Sequence, residues 1–152
     1  LADYFGNDKP DIVLTVEASG IALALAAAHF LGDIPVVFAK KSPAANQSAD
    51  MLTAVAHSFT HGNDNALRVD RRYLPAGSRV LVVDDFLADG EASRALISIV
   101  EQAGCTLVGV GIAVEKGFQA GGRKLREAGV NLKSLAIVTS IQDGRIQLAD
   151  DD

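Results

Sequence analysis

Residues Arg79 to Asp85 read Arg-Val-Leu-Val-Val-Asp-Asp, four consecutive apolar side chains that end on two adjacent carboxylates. A strand with one wet face alternates apolar and polar residues. Unbroken apolarity requires cover on both faces, the condition of a parallel sheet flanked by helices. The same sign recurs along the chain. Ile12 to Val16 and Pro35 to Ala39 are β-rich runs, separated by a helical stretch, Ile21 to Leu31, that Gly32 and Pro35 close. A helix from Glu91 to Ala103, stopped at Gly104, leads to another buried strand, Leu107 to Val114. Arg123 to Ala128 is helical and stops at Gly129. Leu135 to Thr139 is a strand, and Asp143-Gly144 turns the chain into Ile146-Gln147-Leu148. Thr53 to Phe59 and Leu67 to Tyr73 read as two arms of a hairpin about the turn His61 to Asn65. Alternating βαβ units predict an α/β fold: a mostly parallel sheet with helices on both faces. Such sheets bind ligands beyond the carboxyl ends of their strands. The loops that matter therefore follow Val16, Ala39, Asp85 and Val114.

A chain of 152 residues predicts one domain, 1–152. A domain of this length buries roughly 68–70% of its unfolded surface and needs no staples. The net charge of −5 argues against nonspecific nucleic-acid binding, which needs clustered Lys and Arg. The one dense basic stretch, Arg68 to Arg72, is short. The longest apolar run, Ile21 to Ala28, falls short of membrane-spanning length. The chain opens at Leu1 without a charged segment and cleavage site, so no signal peptide is expected. Its single cysteine, Cys105, excludes an internal disulfide and suits a reducing cytosol. Cys105 falls in a helix-to-strand turn and is expected to be buried. His29, His57 and His61 form no metal-ligand pattern, His29 being expected on a helix flank, and Ser19 lacks the context of an activated nucleophile.

Chemistry concentrates in Asp84-Asp85-Phe86-Leu87-Ala88-Asp89-Gly90-Glu91-Ala92-Ser93. Phe86 to Gly90 is expected as a loop of mostly small residues opening a helix, whose first turn presents unpaired N–H groups and a partial positive charge to a phosphate. Gly90 permits close backbone approach. Two carboxylates beside that site can hydrogen-bond a diol such as ribose. The same residues also fit an acidic turn that merely caps a helix, and paired acids after an apolar strand occur in signalling receivers, where they bind Mg²⁺. Glu17 to Ile21 is either a capped helix start or a ligand loop. Lys40 and Lys41 open a long polar loop, Lys40 to Asp50, either as a solvated pair or as point charges for an anion. Lys116 and Phe118 follow an apolar strand, as a surface cation and a core aromatic or as a second half of the site.

The stretch 82–93 resembles the diphosphosugar motif of type I phosphoribosyltransferases: apolar strand, two acids, small-residue loop. Where many members carry Thr-Gly-Gly-Thr, this chain has Ala88-Asp89-Gly90-Glu91-Ala92, which is similar to the xanthine-using branch of that family. The change removes loop hydroxyls from a 5′-phosphate and leaves more to backbone N–H groups. Thr15 to Ala22, Pro35 to Lys41, Leu52-Thr53-Ala54, Ser58-Phe59-Thr60 and Val114 to Gln119 resemble the same branch in order, so the likeness covers nearly the whole chain.

The resemblance implies a type I phosphoribosyltransferase fold that moves ribose 5-phosphate from phosphoribosyl pyrophosphate to xanthine. It assigns Asp84 and Asp85 to the ribose, and Ala88, Asp89, Gly90, Glu91 and Ala92 to the 5′-phosphate. Glu17, Ser19, Gly20, Lys40 and Lys41 fall to the pyrophosphate side. Lys116 meets the exocyclic oxygen of a 6-oxopurine and Phe118 lies against the purine face. Mg²⁺ bridges pyrophosphate and ribose oxygens, with no ligand assigned to the protein itself. A flexible loop, Ser42 to Met51, closes over the substrate. The resemblance further implies a cytoplasmic homodimer, with no nucleic-acid or membrane partner. The N-terminal hood that xanthine enzymes use in base choice is expected to be missing from these residues. Two alternatives stay open: a purine-responsive transcription regulator on the same fold, whose phosphate loop carries two adjacent glycines where this chain has one, and an enzyme for hypoxanthine, guanine or adenine.

Overall fold

The continuous apolar runs become the inner strands of one sheet. The structure, a computed structural model, describes residues 1–41, 50–57 and 64–149. Strands β1 (Ile12–Val16), β2 (Val36–Ala39), β5 (Arg79–Leu87), β6 (Thr106–Lys116), β7 (Leu132–Gln142) and β8 (Arg145–Leu148) lie in the order β2-β1-β5-β6-β7-β8. All neighbours are parallel except β7 and β8. Asp143 and Gly144 have φ of 50° and 72°, so the two-residue turn into β8 uses the positive φ values that such hairpins need.

Alternate residues of each strand serve opposite layers, as a pleat demands. Leu14, Val80 and Val82 pack on one face with Leu96, Ile99 and Val100 of helix α3 (Glu91–Gln102). Val13, Leu81 and Val83 pack on the other with Ala24, Ala27 and Ala28 of helix α2 (Gly20–Phe30), and with Phe5 of a short helix α1 (Ala2–Phe5) that the sequence does not announce. Each fully buried Val or Leu contributes about 1.5–3 kcal/mol, so the sheet's centre, where both faces are covered, carries most of the stability. Helix α4 (Gly121–Glu127) starts two residues before its expected beginning.

The predicted hairpin forms a separate two-stranded sheet, β3 (Met51–His57) against β4 (Asp64–Asp70). It is tied to α3 by Gln102 Nε2, which donates to the Thr53 carbonyl at 3.1 Å, and to β2 by paired Lys40–Arg68 backbone bonds of 2.9 Å. Its return arm ends at Asp70 rather than Tyr73. Asp70 accepts the Arg72 N–H at 3.0 Å and winds Arg71 to Tyr73 into a 3-10 turn.

Further boundaries move, β7 outgrowing its expected Leu135 to Thr139 at both ends. The loop expected from Phe86 begins at Ala88, because Phe86 pairs with Val114 and Leu87 with Glu115, and Leu87 is buried. Strand β6 likewise runs on to Lys116, paired there with Val138. The expected closing loop falls mostly on 42–49, the hairpin turn mostly on 58–63 and the acidic tail on 150–152, all outside the described residues. Among the described residues no helix is long and apolar enough to cross a membrane.

Candidate active site

Because β1, β2, β5 and β6 are parallel, their carboxyl ends share one rim, and the loops singled out above meet there. A cavity of ≈ 270 Å³ opens between them. Glu17, Ser19, Lys41, Asp84, Asp85 and the whole loop Ala88–Ala92 line it, with Ala56 and Leu67 contributed by the hairpin.

Its floor is acidic. Asp84 is only 5% exposed, and its Oδ1 accepts the Asp85 N–H at 3.0 Å. Burial pushes the Asp84 carboxyl up to about 7, against that N–H bond and the Lys41 charge, which both pull it down. Asp85 is more open. Gly20 does not line the cavity but shapes its wall. A Cβ there would collide with the Thr15 hydroxyl and stand 2.7 Å from Asp84 Oδ1.

The loop that follows turns at Gly90, with φ 81°, a conformation that disfavours any side chain. The Arg94 N–H donates to the Gly90 carbonyl at 2.9 Å, the first bond of α3. The N–H groups before it have no partner within the helix and face the end where the helix dipole is positive. Glu91 pairs with Arg94, so its charge is turned along α3.

The pyrophosphate-side candidates divide. Glu17 accepts the Lys41 N–H at 2.6 Å through Oε1 and donates its own N–H to the Ala39 carbonyl at 3.1 Å, which locks the loops after β1 and β2 together. Lys41 reaches the cavity. Lys40, held in its backbone bridge to Arg68, is not among the lining residues.

The base-side candidates stand at the same rim but outside this lining. Lys116 Nζ sits 5.9 Å from the centroid of the Phe86 ring. Phe86 does line the cavity and leaves 55% of its surface open; Phe118, 50% exposed, does not line it. Phe86 is thus the aromatic that sequence reasoning missed. Its exposure follows from strand register, since Phe86 pairs with Val114 and the next residue, Leu87, takes the buried place.

Behind Lys116 lies a second feature without a motif. Glu115 is buried, yet it accepts both Arg126 guanidinium nitrogens at 2.7 Å and the Ser134 hydroxyl at 2.6 Å. Burial pushes its carboxyl up, and the bonds from Arg126 and Ser134 outweigh that, so it stays below its ordinary value of 4.5. His29 is exposed beside Asp33, its Nδ1 2.7 Å from Oδ1. Cys105 is half-buried, its Sγ 3.2 Å from the Pro75 carbonyl, and burial raises its thiol pKa.

Comparison with known proteins gives the chain its family. A family model described as phosphoribosyl transferase domain matches residues 1–144. The chain is 46% identical over 142 residues to xanthine phosphoribosyltransferase 1 of Clostridium perfringens, covering 93% of this chain and 75% of that protein. It is 49% identical over 140 residues to xanthine phosphoribosyltransferase of Bifidobacterium animalis subsp. lactis, covering 92% and 72%. Among solved structures it is similar to the adenine phosphoribosyltransferase of Saccharomyces cerevisiae, with TM-score 0.75, 26% identity and coverage of 89% and 72%. That of Rhodothermus marinus, with TM-score 0.77 and 24% identity, covering 90% and 74%, shares the fold.

Proposed function

The chain belongs to the phosphoribosyltransferase family, and on that premise we propose that it transfers ribose 5-phosphate from phosphoribosyl pyrophosphate to xanthine, giving xanthosine 5′-monophosphate and pyrophosphate. Residues 1–152 are read as one core domain. The observation that carries the reading is the rim cavity, where buried Asp84 and the more open Asp85 adjoin a loop whose backbone N–H groups are free for a phosphate. The choice of xanthine rests on the two relatives of that name.

In this reading Ala88, Asp89, Gly90, Glu91 and Ala92 wrap the 5′-phosphate, and Asp84 and Asp85 hold the ribose. Ser19 and Lys41 face the pyrophosphate, with Glu17, Gly20 and Lys40 shaping that end. The bond from the anomeric carbon to pyrophosphate loosens, and its electron pair leaves with the phosphate oxygen. A purine nitrogen supplies the new bond and loses its proton. Positive charge grows on the sugar between these events, and the fixed carboxylates favour it without reorganising. Phe86 offers a face for the purine and Lys116 a donor for its 6-oxygen; Phe118 stands beside them.

Mg²⁺ fits such a site as an ion carried by the substrate. Among the described residues no group of three carboxylate, His or Cys side chains could hold it alone, and the cation prefers phosphate oxygens and water. When bound, it neutralises charge on the departing pyrophosphate.

The protein works as a homodimer in the cytoplasm. Helix α2 is apolar but for His29, yet Ala22, Leu25, Ala26 and Phe30 face outwards, and a helix of that kind calls for cover. Sedimentation of the intact chain tests the dimer. The single free thiol, Cys105, suits a reducing compartment, which localisation by cell fractionation tests.

The activity is tested by chromatography of nucleotides formed from phosphoribosyl pyrophosphate, Mg²⁺ and xanthine. Wild type forms xanthosine monophosphate. Asp85→Asn forms it on the order of 10²-fold more slowly, the scale of losing one preorganised electrostatic contact. No product from wild type, or full activity in both Asp84→Asn and Asp85→Asn, removes the assignment.

A further inference from the structure

The phosphate loop is shaped from behind. The Gly121 N–H donates to the Ala88 carbonyl at 3.0 Å. A Cβ on Gly121 would collide with that carbonyl oxygen and stand 2.6 Å from Gly90 N and 2.8 Å from the Asp89 carbonyl carbon. A Cβ on Gly90 would in turn stand 3.2 Å from Gly121 Cα. Two glycine backbones therefore lie in direct contact, and no other residue type fits at Gly121 without moving the loop. Ala88 and Asp89 are half-buried and line the cavity, so a loop pushed by a side chain at Gly121 shifts into the space that receives the phosphate.

Helix α4, which begins at Gly121, is itself clamped. A Cβ on Gly122 would collide with the Glu115 carboxyl, the group that Arg126 grips from α4 and Ser134 from β7. Glu115 pairs in register with Leu87, the residue that directly precedes Ala88. Leu125, the buried leucine of α4 itself, completes the seat. The clamp, the helix and the loop thus form one continuous wall, from Lys116's neighbour to the phosphate cradle. The Arg126 side chain is 42% exposed, so the pair is a weak source of net stability, but its two bonds and the Ser134 hydroxyl hold the buried Glu115 carboxylate in one orientation.

We propose that Gly121, backed by the Glu115–Arg126–Ser134 clamp, is a positioning residue for the diphosphosugar: it holds the 88–90 backbone in the shape that receives the 5′-phosphate. The inference rests on the functional reading above. No residue of the clamp touches the reacting atoms, so its effect falls on affinity for the phosphorylated sugar and leaves affinity for the base.

The experiment titrates phosphoribosyl pyrophosphate with Mg²⁺ into the full chain by calorimetry. KM for both substrates and the thermal midpoint are measured beside it, for wild type, Gly121→Ala, Ser134→Ala, Arg126→Lys and Arg126→Met. Gly121→Ala should bind phosphoribosyl pyrophosphate roughly ten- to a hundredfold more weakly, the scale of misplacing a contact by about 1 Å. Its KM for the purine should change less than about twofold, since uniform damage to both would mark general disruption. Arg126→Lys should retain more affinity than Arg126→Met. Unchanged affinity in Gly121→Ala overturns the proposal, as does parallel loss of both substrates. If Gly121→Ala does not fold, Ser134→Ala, which deletes one hydroxyl and adds no bulk, decides alone. Weaker sugar binding there supports the proposal and unchanged binding overturns it. A wild type that does not bind phosphoribosyl pyrophosphate is a separate result, and it overturns the functional reading itself.

Discussion

Asp84 holds a charge at a place where water would hold it better. Burial raises its carboxyl pKa from 3.8 to about 7 in the free protein. A folded-state value above the unfolded one means that the folded chain binds more protons between the two. The acid therefore costs nothing below about 4, progressively more as pH rises, and its full penalty above about 7. Each unit is worth about 1.4 kcal/mol, so the penalty is on the order of a few kcal/mol. Asp84→Asn keeps the oxygen that accepts the Asp85 N–H and removes the charge. Urea unfolding at pH 8 should find the variant more stable than wild type, with the gain shrinking as pH falls towards 5, while its turnover is lower. A variant that is less stable at pH 8 would show that the carboxylate is not under strain. At this scale the sequence was informative about residue type and silent about burial. The adjacency of Asp84 and Asp85 was plain, but which of the two lies under the sheet rim depends on pairing with β6. Phe86 and Gly121 were missed for the same reason: one owes its exposure to strand register, the other its necessity to a contact across the fold.

At the scale of elements, the β5-to-α3 connection is the part most legible in the chain. Its apolar strand, acid pair, glycine and helix start are contiguous, so local rules suffice. Gly90→Val tests it. A β-branched residue resists φ of 81° and presses on Gly121 Cα, so phosphoribosyl pyrophosphate binding should fall by more than purine binding. Equal losses in calorimetric titrations of the two ligands would point to misfolding instead. The α4 seat is the opposite case, because Glu115, Arg126 and Ser134 are far apart in sequence and meet only once β6 and β7 pair. Glu115 is held below its ordinary 4.5, so the clamp is intact at neutral pH and is lost as pH falls through that range and below. Thermal unfolding followed from pH 7 to 3 should show a decline in midpoint for wild type that is shallower in a Glu115→Gln, Arg126→Met double variant. Identical slopes would mean that other carboxylates govern the acid limb.

Taken whole, the molecule is a parallel sheet whose order β2-β1-β5-β6 puts four ligand loops at one edge. Alternating strand and helix signals foretold that edge, since right-handed crossovers leave every parallel strand pointing the same way. They could not foretell that the hairpin β3–β4 would form the cavity's far side, because its contacts with α3 and β2 are long-range. Nor could they separate one oxopurine from another. What the proposed role of Lys116 does predict is discrimination against adenine. Lys116 has only donors, so in that role it would meet a 6-oxygen as a partner and a 6-amino group as a second donor. Lys116 is half-buried here; once a base covers it, a donor left unpaired costs about 1–3 kcal/mol, enough for tenfold selection or more. The most direct measurement is a competition: one tube with phosphoribosyl pyrophosphate, Mg²⁺ and equal xanthine and adenine, its two nucleotide products counted. Their ratio equals the ratio of kcat/KM. Wild type should make xanthosine monophosphate over adenosine monophosphate by about tenfold or more, and Lys116→Met should erode that ratio while its phosphoribosyl pyrophosphate affinity stays. Equal products from wild type would contradict both the role of Lys116 and the choice of xanthine.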